Sequence, residues 1–215
     1  MEAAIRFLAP VNNQTSDQLF KAIDLKINHG CKKLHLLISS PGGSVFHGLS
    51  LYNYLKGIPV ELYTYNFGSV DSIGVVIYCA GKKRFSVPHS RFLIHGVKFN
   101  MNGNVSIDEK QLEEYLKGLL IDQRNIAKII ADNTNKTIVE IEKDMHNRTT
   151  LNPDEAKAYG LTHEIKSELV KPNMEMLTIG EPIQGQPLST GQLTFPNGDV
   201  VPEPTVQAFS DNFIN

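Results

Sequence analysis

The sequence is poor in several features that define whole classes of protein. Its 215 residues include no tryptophan and only two cysteines, Cys31 and Cys79, which lie far apart and form no CxxC motif. This spacing argues against a disulfide framework or a cysteine-based metal site and predicts two buried free thiols in a reducing compartment. The net charge of −2 gives no electrostatic basis for binding nucleic acid.

Long apolar runs and a targeting segment are also lacking. The longest apolar run, around residues 73–80, is far too short to cross a bilayer. The start of the chain, Met1–Ala4, is acidic and precedes no long apolar stretch, so no signal peptide is expected. We therefore predict a cytoplasmic protein without a membrane partner.

Apolar runs that favour strands alternate with helical patterns along most of the chain. Strands are predicted near 5–8, 34–38, 60–65, 84–87 and 92–95. Helices are predicted after a capping box at Thr15–Gln18, over Val45–Leu55, after Ser72, and from a Ser106–Glu109 capping box to about Ala131. This alternation predicts an α/β fold of stacked right-handed βαβ units.

The composition changes from Lys171 onward. Six of the eleven prolines lie in this last part of the chain. We therefore predict one domain over residues 1–170 and a C-terminal extension rich in proline and glycine over residues 171–215. A flexible tail and an ordered strap are both compatible with this composition.

Three short segments contain the residue types of a hydrolytic site. Ser39–Ser44 (SSPGGS) ends a strand in a glycine turn, Gly68–Gly74 (GSVDSIG) places Ser72 before a helix, and Arg91–Gly96 (RFLIHG) ends a strand in His95. A peptidase needs an anion-binding backbone loop, a hydroxyl nucleophile and an imidazole base. Ser72 is therefore the candidate nucleophile and His95 the candidate base. Alone, Ser72 also fits a helix N-cap and His95 a structural histidine.

The order of these segments resembles the Clp protease proteolytic subunit family, serine peptidases with a crotonase-like fold. The resemblance runs from about Ile5 to Ile165 and includes Ile5–Val11, Gly81–Arg91 and Leu151–Leu161. It implies a ClpP-like spiral of βαβ units and a catalytic site without metal or cofactor. By matching positions, it assigns the two N–H groups of the oxyanion hole to Gly43 and Ile73.

The resemblance also implies an assembly. The alternating segment 97–105, with a turn signal at Asn102–Gly103, and the long helix after it match a protruding strand-helix handle that interlocks two rings in the family. A core-facing helix is the simpler interpretation of the same pattern. We therefore expect a homo-oligomeric ring, with a stacked double ring as the family arrangement. Only Met1–Ala4 precede the first strand, where the family carries an axial gate segment, so a Clp-type ATPase partner is left open and hydrolysis without ATP is expected.

The third member of the catalytic triad is the point at which the sequence departs from the family. Arg148 falls where the family has its aspartate, and a guanidinium cannot accept a hydrogen bond from His95. Its neighbour Asn147 has a carbonyl oxygen that can accept one, so it is the tentative third member. Asp144 matches a non-catalytic family residue. Asp71 stands where the family carries a small residue and is not expected to be catalytic.

These features together predict a serine endopeptidase that cleaves peptides or unfolded proteins through a seryl acyl-enzyme inside an oligomeric ring. Two alternatives remain. One is a catalytically weakened ring subunit with a structural or regulatory role. The other is a crotonase-like acyl-CoA enzyme, which uses the same backbone oxyanion hole on thioesters.

Overall fold

A mostly parallel sheet forms the centre of the protein in a computed structural model that describes residues 1–99, 103 and 106–180. Eight strands lie within these residues: β1 (Glu2–Leu8), β2 (Lys33–Ser40), β3 (Glu61–Asp71), β4 (Lys83–Ser86), β5 (Arg91–Ile94), β6 (Thr149–Leu151), β7 (Glu164–Ile165) and β8 (Met176–Gly180). The order is β6-β5-β3-β2-β1-β8, with β4 also beside β3 and β7 beside β4. Among these pairs, β5 and β6 are antiparallel and the others are parallel.

Six helices connect the strands within the same residues. They are α1 (Asn13–Asn28), α2 (Val45–Gly57), α3 (Ile73–Cys79), α4 (Glu109–Asp132), α5 (Ile138–Asn147) and α6 (Pro153–Ala158). The βαβ order along the first half of the chain is the one that the sequence predicts. None of the helices in the described ranges is both long and apolar enough to cross a membrane.

Two helix starts differ from the prediction. Helix α1 is capped by Asn12, whose Oδ1 accepts from Thr15 N at 2.9 Å while Thr15 Oγ1 accepts from Asn12 N at 3.1 Å. Helix α4 is capped by the same reciprocal arrangement of Asp108 and Gln111. The predicted boxes at Thr15–Gln18 and Ser106–Glu109 are therefore wrong. Asn and Asp cap as well as Ser or Thr, and the carboxylate of Asp108 also lies at the positive end of the helix dipole.

Strand β3 continues further than its apolar pattern predicts. It pairs with β4 through Tyr63–Asn66 and then with β5 through Ser69–Asp71, past a register shift against β2 between Ile38 and Ser40. Gly68 and Ser69 weaken the local strand signal, but the ladder to β5 compensates for it. Because β3 ends at Asp71, Ser72 stands at the carboxyl end of a central strand.

The main core lies between the sheet and the helices. Its fully buried side chains include Phe7, Leu36, Val76, Tyr78 and Phe92. Cys31 and Cys79 are both buried free thiols, as the sequence predicts, and burial raises the pKa of the Cys79 thiol to about 12. These cysteines therefore act as small core residues.

The first part of the predicted C-terminal extension forms an edge of the sheet. Strand β8 pairs in parallel with β1 over Ala4–Leu8, and Ala4 N donates to Glu175 O at 2.9 Å. Strand β8 therefore belongs to the same sheet as the rest of the strands. The domain boundary at 170/171 stays a prediction. The predicted turn at Asn102–Gly103 includes residue 102, which lies outside the described residues, as does the extension from residue 181.

Candidate active site

Ser72 occupies the sharp turn between β3 and α3. Its φ and ψ of 58° and −127° are rare for a residue with a side chain. Although Ser72 stands at the N-cap position of α3, its hydroxyl makes no capping hydrogen bond. Ser72 N donates to Leu93 O at 2.8 Å, which ties this turn to β5. The N-cap interpretation is therefore not supported, and the strained backbone is typical of a functional position.

The glycine turn after β2 packs against Ser72 on one side and against Val11 on the other. Val11 N donates to Gly42 O at 2.7 Å, and Ser44 N donates to Val11 O at 2.8 Å. Gly42 and Gly43 have φ of 86° and 146°. A Cβ at Gly42 would lie 2.6 Å from Ser72 Cβ, and one at Gly43 would lie 2.2 Å from Val11 O. Only glycine therefore fits at these two positions.

Two backbone N–H groups beside Ser72 donate no backbone hydrogen bond within the part of the chain that the structure describes. The bridge between Val11 and Gly43 uses the Gly42 carbonyl and the Ser44 N–H, which leaves the Gly43 N–H outside it. Ile73 is the first residue of α3, so its N–H has no acceptor within the helix. These are the donors that the family resemblance assigns to the oxyanion hole, and a helix N-terminus favours negative charge.

His95 follows the last residue of β5 and faces the same cavity as Ser72. This cavity of about 210 Å³ is lined by Gly43, Ser72, Ile73, His95 and also Pro41, Val45, Gly96, Val97, Lys98 and Ile126. The Nδ1 atom of His95 lies 2.7 Å from Gly96 O. No hydrogen bond joins Ser72 and His95 within the described residues. Such bonds are often long in unliganded sites and tighten when substrate binds.

A model of the Clp protease family matches residues 1–168. The chain belongs to the Clp protease family.

Individual relatives agree with this assignment. The ATP-dependent Clp protease proteolytic subunits 2 of Corynebacterium efficiens and Corynebacterium glutamicum are 30% and 32% identical to it over 136 residues. That alignment covers 62% of this chain and 66% of each relative, so the chain spans slightly less than two thirds of the relatives' length. A solved structure of a ClpP1 mutant from Listeria monocytogenes superposes with a TM-score of 0.70 at 26% identity, over 77% of this chain and 91% of that one.

These findings confirm the predicted ClpP-like α/β fold. They do not favour the acyl-CoA enzyme, and the activity of a Clp-type serine peptidase stays a prediction, because the chain spans less than two thirds of these relatives. The individual site residues are tested by none of these comparisons, and they stay predictions that rest on the geometry.

The position of the family's aspartate lies at the end of α5. Arg148 caps this helix in a left-handed conformation with φ of 56°, and Asn147 is the exposed last residue. In the described part of the chain, no hydrogen bond joins Asn147 to His95. Asp144 accepts from Tyr159 Oη at 2.5 Å and from Thr149 Oγ1 at 3.4 Å. Burial raises the pKa of the Tyr159 hydroxyl, and its hydrogen bond to Asp144 raises it further.

Asp71 has a partner that the sequence did not reveal. Its Oδ2 lies 2.8 Å from Nη2 of Arg91, and its Oδ1 accepts from Ser69 Oγ at 2.9 Å. Asp71 lines a separate cavity of about 350 Å³ together with Ser69, Arg91 and Pro10, whereas Ser72 lines the cavity of His95. Asp71 and His95 therefore face different cavities. The pairing with Arg91 needed the register of β3 against β5, which no local pattern shows.

Proposed function

We propose that this protein is a serine endopeptidase of the Clp proteolytic subunit type, acting on peptides or unfolded proteins. The observation that carries the proposal is the conformation of Ser72. Its φ is 58°, its hydroxyl makes no capping hydrogen bond, and it lines the same cavity as His95. Backbone strain of this kind persists only where surrounding structure enforces it, here the bond from Ser72 N to Leu93 O and the contact with Gly42.

The arrangement supports acyl transfer in two steps. Ser72 Oγ attacks the scissile carbonyl carbon while His95 Nε2 takes its proton, and the N–H groups of Gly43 and Ile73 bind the oxyanion. Collapse of the tetrahedral intermediate breaks the C–N bond, and His95 returns the proton to the leaving amine. Water then attacks the seryl ester with His95 as base, which releases the acid and restores Ser72.

The candidate for the third member of the triad rests on the sequence. Asn147 remains the candidate from sequence because it adjoins Arg148 at the family's aspartate position. Its exposed side chain would have to turn towards His95 to accept a hydrogen bond. A site without a carboxylate partner for the imidazolium also gives weight to the second candidate function, a weakened ring subunit.

The proposed assembly is a homo-oligomeric ring that stacks into a double ring. The first half of α4 is exposed and amphipathic, and four of its aliphatic side chains are half or more exposed: Leu112 (57%), Leu116 (57%), Leu120 (53%) and Ile121 (51%). The second half is anchored in the core through Ile126, Ala127 and Ile130. The core-facing interpretation therefore holds only for the second half. An exposed apolar helix face of this size is typical of an interface between protein subunits. A Clp-type ATPase partner and a cytoplasmic location also remain proposals.

Hydrolysis of a fluorogenic peptide by wild type, Ser72→Ala, His95→Ala and the double variant tests this function. We expect each single variant to lose about as much as the double one, on the order of 10⁶ in kcat, because the two residues act as a unit. A fluorophosphonate should label Ser72 in the wild type only. Absence of labelling with an intact oligomer would support the weakened ring subunit, and thioesterase activity that survives Ser72→Ala would support the acyl-CoA enzyme.

A further inference from the structure

The contact between His95 and Gly96 fixes the tautomer of the imidazole. A carbonyl oxygen only accepts hydrogen bonds, so at 2.7 Å from Gly96 O the Nδ1 atom must carry the proton. The lone pair of the neutral ring is then on Nε2. This is the tautomer that a general base needs in order to take a proton from Ser72.

The backbone N–H of Gly96 is held by α5. Gly96 N donates to the carbonyl oxygen of Met145 at 2.9 Å, and the Met145 side chain is buried in the core with 1% exposure. Gln123 of α4 approaches the same glycine, since a Cβ at Gly96 would lie 3.5 Å from Gln123 Oε1. Gly96, the residue that supplies the carbonyl, is therefore anchored through its N–H to α5 and lies close to α4.

The other candidate acceptors at this end of α5 are engaged or exposed. Both carboxylate oxygens of Asp144 accept hydrogen bonds, from Tyr159 and Thr149. Asn147 is exposed, and Arg148 has only donors.

We propose that the main-chain carbonyl of Gly96 orients His95 and takes the role that a carboxylate has in the family's triad. This inference rests on the proposed peptidase function. A carbonyl dipole stabilises the imidazolium that forms during attack less than a full negative charge does. The site is therefore a Ser72–His95 dyad supported by a backbone acceptor, and its hydrolysis is slow. In this arrangement Asp144→Ala leaves kcat within about threefold of wild type, since its carboxylate oxygens accept from Tyr159 and Thr149 and from no group of His95 in the described part of the chain.

A backbone ester tests the acceptor directly. Replacing Val97 with α-hydroxyisovaleric acid converts the Gly96–Val97 peptide bond into an ester, whose carbonyl is a weaker acceptor. Val97 N donates no backbone hydrogen bond within the described residues, so the ester removes none. The matched control is the same substitution at the partly exposed Val170, whose N–H likewise has no backbone acceptor there.

We expect the ester at Val97 to lower kcat about tenfold with KM nearly unchanged, because it weakens one hydrogen bond to a charged group. A tenfold loss in kcat corresponds to about 1.4 kcal/mol in the activation free energy. The Hδ1 proton resonance of His95, followed by NMR, should move upfield, whereas a purely structural change would leave it in place. The ester at Val170 should do neither.

Wild-type kcat and an unmoved Hδ1 resonance in the Val97 ester would overturn the inference, as would a loss of more than about 100-fold in Asn147→Ala, which would identify Asn147 as the acceptor. Ser72→Ala separates this failure from that of the function itself. If Ser72→Ala abolishes hydrolysis while the ester has no effect, the peptidase stands and the acceptor is wrong. If Ser72→Ala remains active, the proposed function is wrong.

Discussion

Substitution of Gly43 by alanine should displace one oxyanion donor without changing the side chains of Ser72 or His95. The new Cβ would lie 2.2 Å from Val11 O and 3.0 Å from both Val11 C and Val11 N, and all three are backbone atoms of a bridge. The loop must therefore shift by about 1 Å, and a misplacement of this size costs about 10²-fold in rate. The φ of 146° adds strain for any residue with a side chain.

We expect Gly43→Ala to lower kcat by about 10²–10³-fold with little change in KM, because the displaced N–H acts mainly on the transition state. Gly57→Ala is the matched control, since a Cβ there meets nothing within 4 Å. Peptide hydrolysis under saturating substrate and a thermal unfolding curve would be measured for both variants. A Gly43→Ala protein that is folded and within about threefold of the wild-type kcat would refute the assignment of this N–H to the oxyanion hole.

Three further outcomes concern stability and assembly. Glu175→Ala should lower the free energy of unfolding by about 1–2 kcal/mol, because it leaves the fully buried Lys26 without its ion-pair partner. Lys26→Met should leave the free energy of unfolding nearly unchanged in chemical denaturation, and equal losses in the two variants would contradict this reasoning. Burial lowers the pKa of His35 below its ordinary value of 6.5, so the unfolded chain binds the proton first and the free energy of unfolding should fall as pH drops below about 6.5. His35→Gln should reduce this loss, and an identical pH profile would exclude His35 as its source. Leu116→Glu on the exposed face of α4 should reduce the oligomer size in light scattering, whereas Val139→Glu, at an exposed apolar residue of α5, should not. A stable wild-type monomer at micromolar concentration would contradict the ring.

The sequence by itself determined the βαβ alternation, the two glycines before α2, and Ser72 and His95 as candidates. These are local signals, because a strand pattern, a glycine turn and a strand end are each set by a few neighbouring residues. The sequence did not determine the cap residues of α1 and α4, since Asn12 and Asp108 compete with nearby serines and threonines for that position.

The tertiary structure alone decided which groups meet. The continuation of β3 to Asp71 depends on its ladder with β5, and the pairing of Asp71 with Arg91 follows from that register. The exposure of Leu116 depends on where α4 leaves the core. Nδ1 of His95 meets Gly96 O and makes no hydrogen bond to Asn147 within the described residues, which depends on how β5 and α5 pack, elements about fifty residues apart in sequence. Contacts of this kind are set by how the layers pack, and no pattern within either segment records them.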